Sequence, residues 1–220
     1  MQEFELLSIS HFLGFCICLA AIIFIPKAIQ AKSGLENFSK YFLVFLLVEN
    51  QIRSTYVETF VKGGKLLENL PLHLCDFSAI VIAVFLLTGF RPLFIFAYFW
   101  GIAGAGMSIL TPDSEFAFPH YEYFATMYGH SLILLAVVFS IVNLGQRPYL
   151  RDIPKLIFYS SILLAIMYGI NYILGANYWY LNERPYGDNI LSLMPEPPVH
   201  MFILYPCLLY TSDAADEADG

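Results

Sequence analysis

The chain is 220 residues long, and 58% of its residues are hydrophobic while only 13% carry a charge. Soluble domains average about 45–50% apolar and about 25% charged residues. A water-soluble globule of this size has no interior large enough for so much apolar surface, so the composition predicts a protein that lies in lipid. The excess of 18 Asp and Glu over 11 Lys and Arg argues against a nucleic-acid partner, and four cysteines argue against a disulfide scaffold.

Six continuous apolar stretches are long enough to cross about 30 Å of hydrocarbon, which takes about 20 helical residues. In chain order they are Ser8–Ile29, Tyr41–Phe60, Pro71–Gly89, Pro92–Leu110, Tyr123–Leu144 and Lys155–Leu174, and a seventh begins near Val199. Acidic residues Glu3 and Glu5 precede the first stretch, and no cleavage motif follows it, so it is predicted to be a retained span. The sequence therefore predicts an all-α polytopic membrane helix bundle of six complete transmembrane helices plus the start of a seventh.

The last residues of the chain differ from the rest in composition. Cys207 to Glu217 read CLLYTSDAADE, which is the translation of a common transposase sequencing adapter. We therefore expect residues 1–206 to form a single transmembrane helical domain, truncated in its seventh helix, and residues 207–220 to be non-native.

Lysine and arginine residues are distributed unevenly between successive loops. The odd-numbered loops carry Lys27, Lys32, Lys40, Arg91, Arg147, Arg151 and Lys155, whereas the even-numbered loops carry Lys62, Lys65 and Arg184. Positively charged residues favour the cytoplasmic side of a membrane. The pattern predicts cytoplasmic odd-numbered loops and an outside N-terminus, and we expect the membrane to be a bacterial cytoplasmic membrane.

Polar residues within the predicted spans are concentrated near the outer ends of the helices. They are Glu49, Asn50 and Arg53 in the second span, His73, Cys75 and Asp76 in the third, and Tyr128 and His130 in the fifth. Ionisable groups in lipid are costly and usually face a partner or a cavity. A conducting pore would need polar groups through its full depth. The distribution instead predicts a polar pocket that opens toward the outer leaflet and is closed below by apolar packing.

Cys75, His130 and Asp76 suggest an activated nucleophile, with a thiolate, a base and an orienting carboxylate. Asp76 points about 100° away from its neighbour Cys75 on a helix, so it can instead pair with Arg53. Glu49 and Arg53 share a helix face at i, i+4 and are predicted to pair. In the structural interpretation, Cys75 is an inert thiol and the histidines are hydrogen-bonding residues that hold helices together.

Neither a metal nor a cofactor is predicted, because Cys75 and Asp76 occupy adjacent helix positions and do not easily reach one ion. The fourth span contains five small residues, and these favour close packing of helices over a substrate channel. They are Gly101, Gly104, Ala105, Gly106 and Ser108.

Three motifs carry a resemblance to a known family. The run Leu70–Asp76, LPLHLCD, is followed by FPHYE at Phe118–Glu122 and by Gly129-His130. Together they resemble the YwaF-like bacterial integral membrane proteins, which are related to the eukaryotic transmembrane-protein-164 family. The resemblance covers most of Ser8–Tyr205, including the number and order of helices.

The eukaryotic relatives look like phospholipid acyltransferases with a cysteine nucleophile. By that resemblance Cys75 is the nucleophile and His130 the base, while His73 lies in the motif without an assigned role. We therefore expect an integral membrane lipid acyltransferase or lipid ester hydrolase whose partners are membrane lipids: a phospholipid or lysolipid and an acyl donor. The supporting residues are His73, Asp76, Glu49, Asn50, Arg53 and Tyr128.

Two alternatives stay open. One is a non-enzymatic small-molecule binding or transport component, whose outward-facing polar pocket is lined by Glu49, Arg53, Asp76 and His130. The other is a membrane scaffold, in which polar substitutions act only through stability.

Overall fold

The computed structural model describes residues 3–32, 34–184, 194–197 and 199. Over these residues the chain is helical, apart from loops and one isolated bridge between Glu3 and Phe116. The α-helices are α1 (Ile9–Gln30), α2 (Leu35–Tyr56), α3 (Leu74–Thr88), α4 (Arg91–Trp100), α5 (Met107–Leu110), α6 (Tyr121–Val142) and α7 (Ile153–Leu174). π-Helical turns at Val57–Val61 and Gly101–Gly106 extend α2 and join α4 to α5.

The core of the bundle lies between α3, α4 and α6. Ile82 and Phe85 of α3, Phe94 of α4, and Val137 and Phe139 of α6 are almost completely buried in one cluster. Helix α6 is central, since it contacts α1, α2, α3 and α4. These side chains are apolar, so this part of the bundle is closed by hydrophobic packing.

The helices alternate in direction, which gives the bundle two distinct ends. The site end comprises the starts of α1, α3 and α6 and the ends of α2, α5 and α7, where His11 Nε2 lies 3.3 Å from the carbonyl oxygen of Ile109. The basic end comprises the opposite helix termini. There Gln30 donates to the carbonyl of Val142 at 2.8 Å, and Arg91 pairs with Asp152 at 2.7 Å.

Four helical stretches are long and apolar enough to cross a membrane: Ile9–Gln30, Arg91–Leu110, Tyr121–Val142 and Leu150–Leu174. Helix α3 is apolar but only 15 residues long, and α2 contains Glu49 and Arg53 in its second half. Large apolar side chains are exposed on the outer faces, including Ile9 at 81% and Tyr172 at 91%. Such extended apolar surface fits a protein surrounded by lipid. The predicted seventh span from residue 200 onward and the tail 207–220 lie outside the described residues.

The glycine-rich π-turn lets α4 approach its neighbours closely. A methyl group at Gly101 would lie 3.2 Å from Ile133 of α6, and one at Gly104 would lie 3.4 Å from Cys75 Sγ of α3. The sequence-based interpretation of this stretch as a packing surface is confirmed at Gly101. π-Turns are frequent at functional sites, and this one directly faces the candidate thiol.

The segment Tyr178–Tyr180 follows α7 and folds back over the site end. Trp179 and Tyr180 have φ angles of +61° and +52°, a left-handed conformation that costs non-glycine residues about 1–3 kcal/mol each. Side-chain hydrogen bonds hold it: Asn171 bonds both the N–H and the carbonyl of Tyr178, at 2.8 and 2.9 Å, and Trp179 Nε1 donates to the carbonyl of Leu72 at 2.9 Å. We call residues 178–180, held by these hydrogen bonds, the aromatic clasp.

Candidate functional site

A cavity of about 650 Å³ lies at the site end. Five of the residues singled out from the sequence line it: Asn50, Arg53, Cys75, Asp76 and His130. They come from α2, α3 and α6, so the antiparallel packing of these helices brings together positions that lie 80 residues apart in the chain. Glu49, His73 and Tyr128 lie beside the cavity and are not among its lining residues.

Cys75 is the second residue of α3 and faces the π-turn of α4. Ser108, four residues after Gly104, donates its hydroxyl proton to the carbonyl of Gly104 at 3.0 Å. A serine hydroxyl has one proton. That proton is used on Gly104, and the absence of a side chain at Gly104 leaves room for the sulfur of Cys75.

His130 is held in one tautomer by its own helix. Its Nδ1 lies 2.7 Å from the carbonyl oxygen of Thr126. A carbonyl only accepts, so Nδ1 carries the proton and Nε2 has a free lone pair. Within the described part of the chain, Nε2 has no hydrogen-bond partner. The ring therefore presents a proton acceptor at the cavity.

Gly129 allows a close contact between α6 and α2. A methyl group at this position would lie 2.9 Å from Asn50 Nδ2, which is closer than real Cβ atoms approach. Gly129 and His130 thus have two different roles: the glycine leaves room for the Asn50 side chain, and the histidine lines the cavity.

Asp76 has a different role from the orienting carboxylate suggested by the sequence. Helix α3 begins at Leu74, so Asp76 is its third residue, and Oδ2 accepts the backbone N–H of His73 at 3.0 Å. The alternative Arg53–Asp76 pair is wrong: among the ion pairs of residues 3–184, Arg53 pairs with Glu49.

Arg53 connects α2 to α6. Nε donates to Glu49 at 3.1 Å, Nη1 to the hydroxyl of Tyr121 at 2.5 Å, and Nη2 to Asn50 at 2.6 Å. The guanidinium also lies 5.6 Å from the ring centre of Tyr128. The predicted i, i+4 pair of Glu49 and Arg53 is confirmed, and its guanidinium is one wall of the cavity.

His73 packs against the aromatic clasp. Its ring centre lies 5.1 Å from that of Tyr178 and 5.4 Å from that of Tyr180. These contacts join the start of α3 to the segment after α7. His73 therefore supports the wall that carries Cys75 without lining the cavity.

Several cavity residues were missed by the sequence analysis because they lie at helix ends or in loops, where polar residues are ordinary. Lys62 bridges Glu58 at 3.0 Å and Glu122 at 2.5 Å, and the Tyr180 hydroxyl donates to Asp113 Oδ2 at 3.3 Å. Partial burial lowers the pKa of Lys62, but its hydrogen bonds to the two glutamates outweigh this and raise it overall. Burial raises the pKa of both Asp113 and Tyr180.

The chemistry of the cavity is that of a thiol and a base. Among the described residues, no three His, Cys, Asp or Glu side chains converge as metal ligands would. The lining instead places one thiol, one imidazole with an accessible nitrogen, and several hydrogen-bond donors around the same space.

Comparison with known proteins gives one family. The sequence profile of the TMEM164 family matches residues 3–212. An uncharacterized protein of Treponema pallidum (strain Nichols) is 26% identical over 167 residues, which are 76% of this chain and 68% of the relative. No solved structure shows a significant match.

Proposed function

Since the chain belongs to the TMEM164 family, we propose that it is an integral membrane lipid acyltransferase or lipid ester hydrolase that uses Cys75 and His130. The observation that carries the proposal is that both side chains line one cavity, with His130 Nδ1 bonded to Thr126 and Nε2 left as the acceptor. A nucleophile and a base of fixed tautomer on one cavity are the groups that acyl transfer requires.

In the proposed reaction His130 Nε2 takes the thiol proton as Cys75 Sγ attacks the ester carbonyl. A thiolate formed in advance would lie next to Asp76, so proton transfer during attack has the lower energy. The tetrahedral intermediate collapses, its C–O bond breaks, and the leaving alkoxide receives the proton from His130. The acyl group, now a thioester on Cys75, passes to a lysolipid hydroxyl or to water, whose proton returns through His130 to the sulfur.

Membrane lipids fit the position of the cavity. It lies at one end of an apolar bundle, where the polar ester and headgroup of a lipid meet the interface while its chains remain in hydrocarbon. Both the donor phospholipid and the accepting lysolipid would enter the cavity from the same leaflet of the membrane. No nucleic acid is expected to take part.

We further propose six complete transmembrane helices with α2 and α3 included, an outside N-terminus and a bacterial cytoplasmic membrane. Support comes from the excess of lysine and arginine at the basic end, the LPLHLCD resemblance to YwaF-like bacterial proteins, and the relative from Treponema pallidum. Single cysteines placed in the α6–α7 loop and labelled from outside test this topology. Labelling of intact cells at that loop would contradict it.

The catalytic proposal is tested in membranes that contain the chain and its variants. Labelled phospholipids are supplied, and products are profiled by mass spectrometry. Cys75→Ala and His130→Ala are expected to form at least about 100-fold less labelled product. Removing the nucleophile or the base prevents formation of the acyl-enzyme. Cys16→Ala is the matched control, since Cys16 is an exposed thiol on α1.

Full product formation by Cys75→Ala would contradict the mechanism. Stoichiometric ligand binding that persists in Cys75→Ala, with no labelled product from the parent chain, would support the binding component instead. The charged rim of the cavity, including Lys62, Glu58 and Glu122, is what favours that second function.

A further inference from the structure

Tyr180 is a cavity residue that the proposed reaction has not used. Its hydroxyl lies on the same cavity as Cys75 and donates to Asp113 at 3.3 Å, across the gap between the α5–α6 loop and the segment after α7. Its ring packs against that of His73, two residues before Cys75. The phenol is therefore positioned near the nucleophile by two elements that are remote in sequence.

The aromatic clasp shows that this position is imposed by the fold. Trp179 and Tyr180 both adopt left-handed φ angles, which bulky residues avoid. Asn171 bonds both backbone groups of Tyr178, and the Trp179 indole is anchored on Leu72. A conformation that costs energy and is held by several independent bonds is typical of functional sites.

Tyr178 and Tyr180 differ in what their hydroxyls do. The Tyr178 hydroxyl donates to the carbonyl of Leu67 at 2.7 Å and accepts the N–H of Leu70 at 3.1 Å. Both bonds tie the clasp to the α2–α3 loop, so this phenol is structural. The Tyr180 hydroxyl bonds one loop carboxylate at the cavity, and a small rotation redirects it to a bound ligand.

We infer that the Tyr180 hydroxyl donates the hydrogen bond that stabilises the oxyanion formed when Cys75 attacks a lipid ester; this inference rests on the proposed function. As the Sγ–C bond forms, the carbonyl π electrons move to oxygen, and the phenol O–H turns from Asp113 to that oxygen. When the intermediate collapses, the C=O bond is restored, and the phenol proton stays on Tyr180 throughout.

The chemistry of the phenol suits this role. Burial raises the pKa of Tyr180, so the hydroxyl keeps its proton over the whole physiological range and acts as a donor. Removing one oxyanion-hole donor lowers turnover by about 10²–10³-fold in well-studied hydrolases. Asp113 acts as a positioning residue that holds the hydroxyl toward the cavity in the absence of ligand.

Two probes of the same sulfur separate this role from a structural one. Acylation of Cys75 by p-nitrophenyl butyrate passes through an oxyanion, whereas alkylation by iodoacetamide displaces iodide without one. Both rates are followed on the Cys75 peptide by mass spectrometry, in the full chain and in Tyr180→Phe. We expect acylation to fall about 100-fold while alkylation stays within about two-fold.

Tyr178→Phe is the matched control. It loses two structural hydrogen bonds, and the ratio of the two rates should stay at the parent value even if both rates change. Equal loss of both rates in Tyr180→Phe, or unchanged acylation, would overturn the role of Tyr180. Alkylation of Cys75 without any acylation in the parent chain would instead overturn the proposed function, and the inference with it.

Discussion

At the basic end, Arg91 donates to both carboxylate oxygens of Asp152 at 3.0 and 2.7 Å, and the backbone N–H of Tyr149 also donates to this carboxylate at 3.0 Å. At the site end, His130 uses one ring nitrogen on Thr126, and the other faces the cavity. The first arrangement consists of protein groups that satisfy one another and tie two loops together. The second places polar groups around an open space, where a bound molecule can reach them.

This difference leads to a general expectation for substitutions. Changes at the basic end should alter stability without altering Cys75 reactivity, whereas changes at the site end that disturb the packing around Cys75 should alter both. Three substitutions test the comparison, each followed by thermal unfolding in detergent and by the iodoacetamide alkylation rate of Cys75.

Asn171→Ala should have the largest effect on stability. Asn171 is buried, and its loss leaves the N–H and carbonyl of Tyr178 without their partner. Each unpaired buried group costs about 1–3 kcal/mol, so we expect a loss of about 2–4 kcal/mol and a changed Cys75 alkylation rate as the aromatic clasp loosens. Tyr172→Ala on the same helix, at 91% exposure, should change stability by less than about 0.5 kcal/mol. An unchanged melting temperature in Asn171→Ala would contradict the anchoring role of this side chain.

Gly129→Ala should come next. In an open helix position, replacing glycine by alanine stabilises by about 0.5–1 kcal/mol, and Gly169 of α7 has nothing within 4 Å of its virtual methyl group. At Gly129 the methyl group meets Asn50 Nδ2 at 2.9 Å, and overpacking costs about 1–3 kcal/mol. We therefore expect Gly169→Ala to raise stability and Gly129→Ala to lower it. An equal change in melting temperature in the two variants would show that α2 and α6 accommodate the methyl group freely.

The parts of the site that were predictable are polar residues inside apolar helices. Cys75 and His130 stand out from their spans, and a helical rise of about 1.5 Å per residue places them about one and about two turns inside the same surface. Their position in the same half of the bundle, with alternating helix directions, was enough to predict a shared pocket at one end. The Glu49–Arg53 pair was predictable for the same reason, since i, i+4 spacing needs no tertiary information.

The rest of the site depends on information that composition and spacing do not carry. Asp76 was given the wrong role because the apolar stretch begins at Pro71 whereas the helix begins at Leu74, which makes Asp76 a first-turn residue. The acceptor that orients His130 is the backbone carbonyl of Thr126, which every residue type possesses. Tyr180 enters the cavity only because tertiary bonds hold two residues at positive φ.

Arg91→Ala should give the smallest effect of the three and test the basic end. The Arg91 side chain is 38% exposed, so solvent screening reduces its contribution, and we expect a loss of about 1–2 kcal/mol at pH 7. Lys65→Ala removes an ion pair between Glu68 and a lysine side chain that is 80% exposed, so it should lower stability less than Arg91→Ala does. Neither variant should change the alkylation rate of Cys75.

The pH dependence of Arg91→Ala gives the sharper test. Burial raises the pKa of Asp152, but the hydrogen bonds from Arg91 and from the Tyr149 N–H outweigh it and lower the pKa overall. A carboxylate with a lowered pKa contributes stability above its unfolded pKa of about 3.9 and loses it as the pH falls through the folded value. The stability difference between the parent and Arg91→Ala should therefore be constant from pH 5 to 7 and shrink below about pH 4. A difference that persists in acid would assign the effect of Arg91 to its packing on Tyr149, 5.1 Å from the ring centre, and not to its charge.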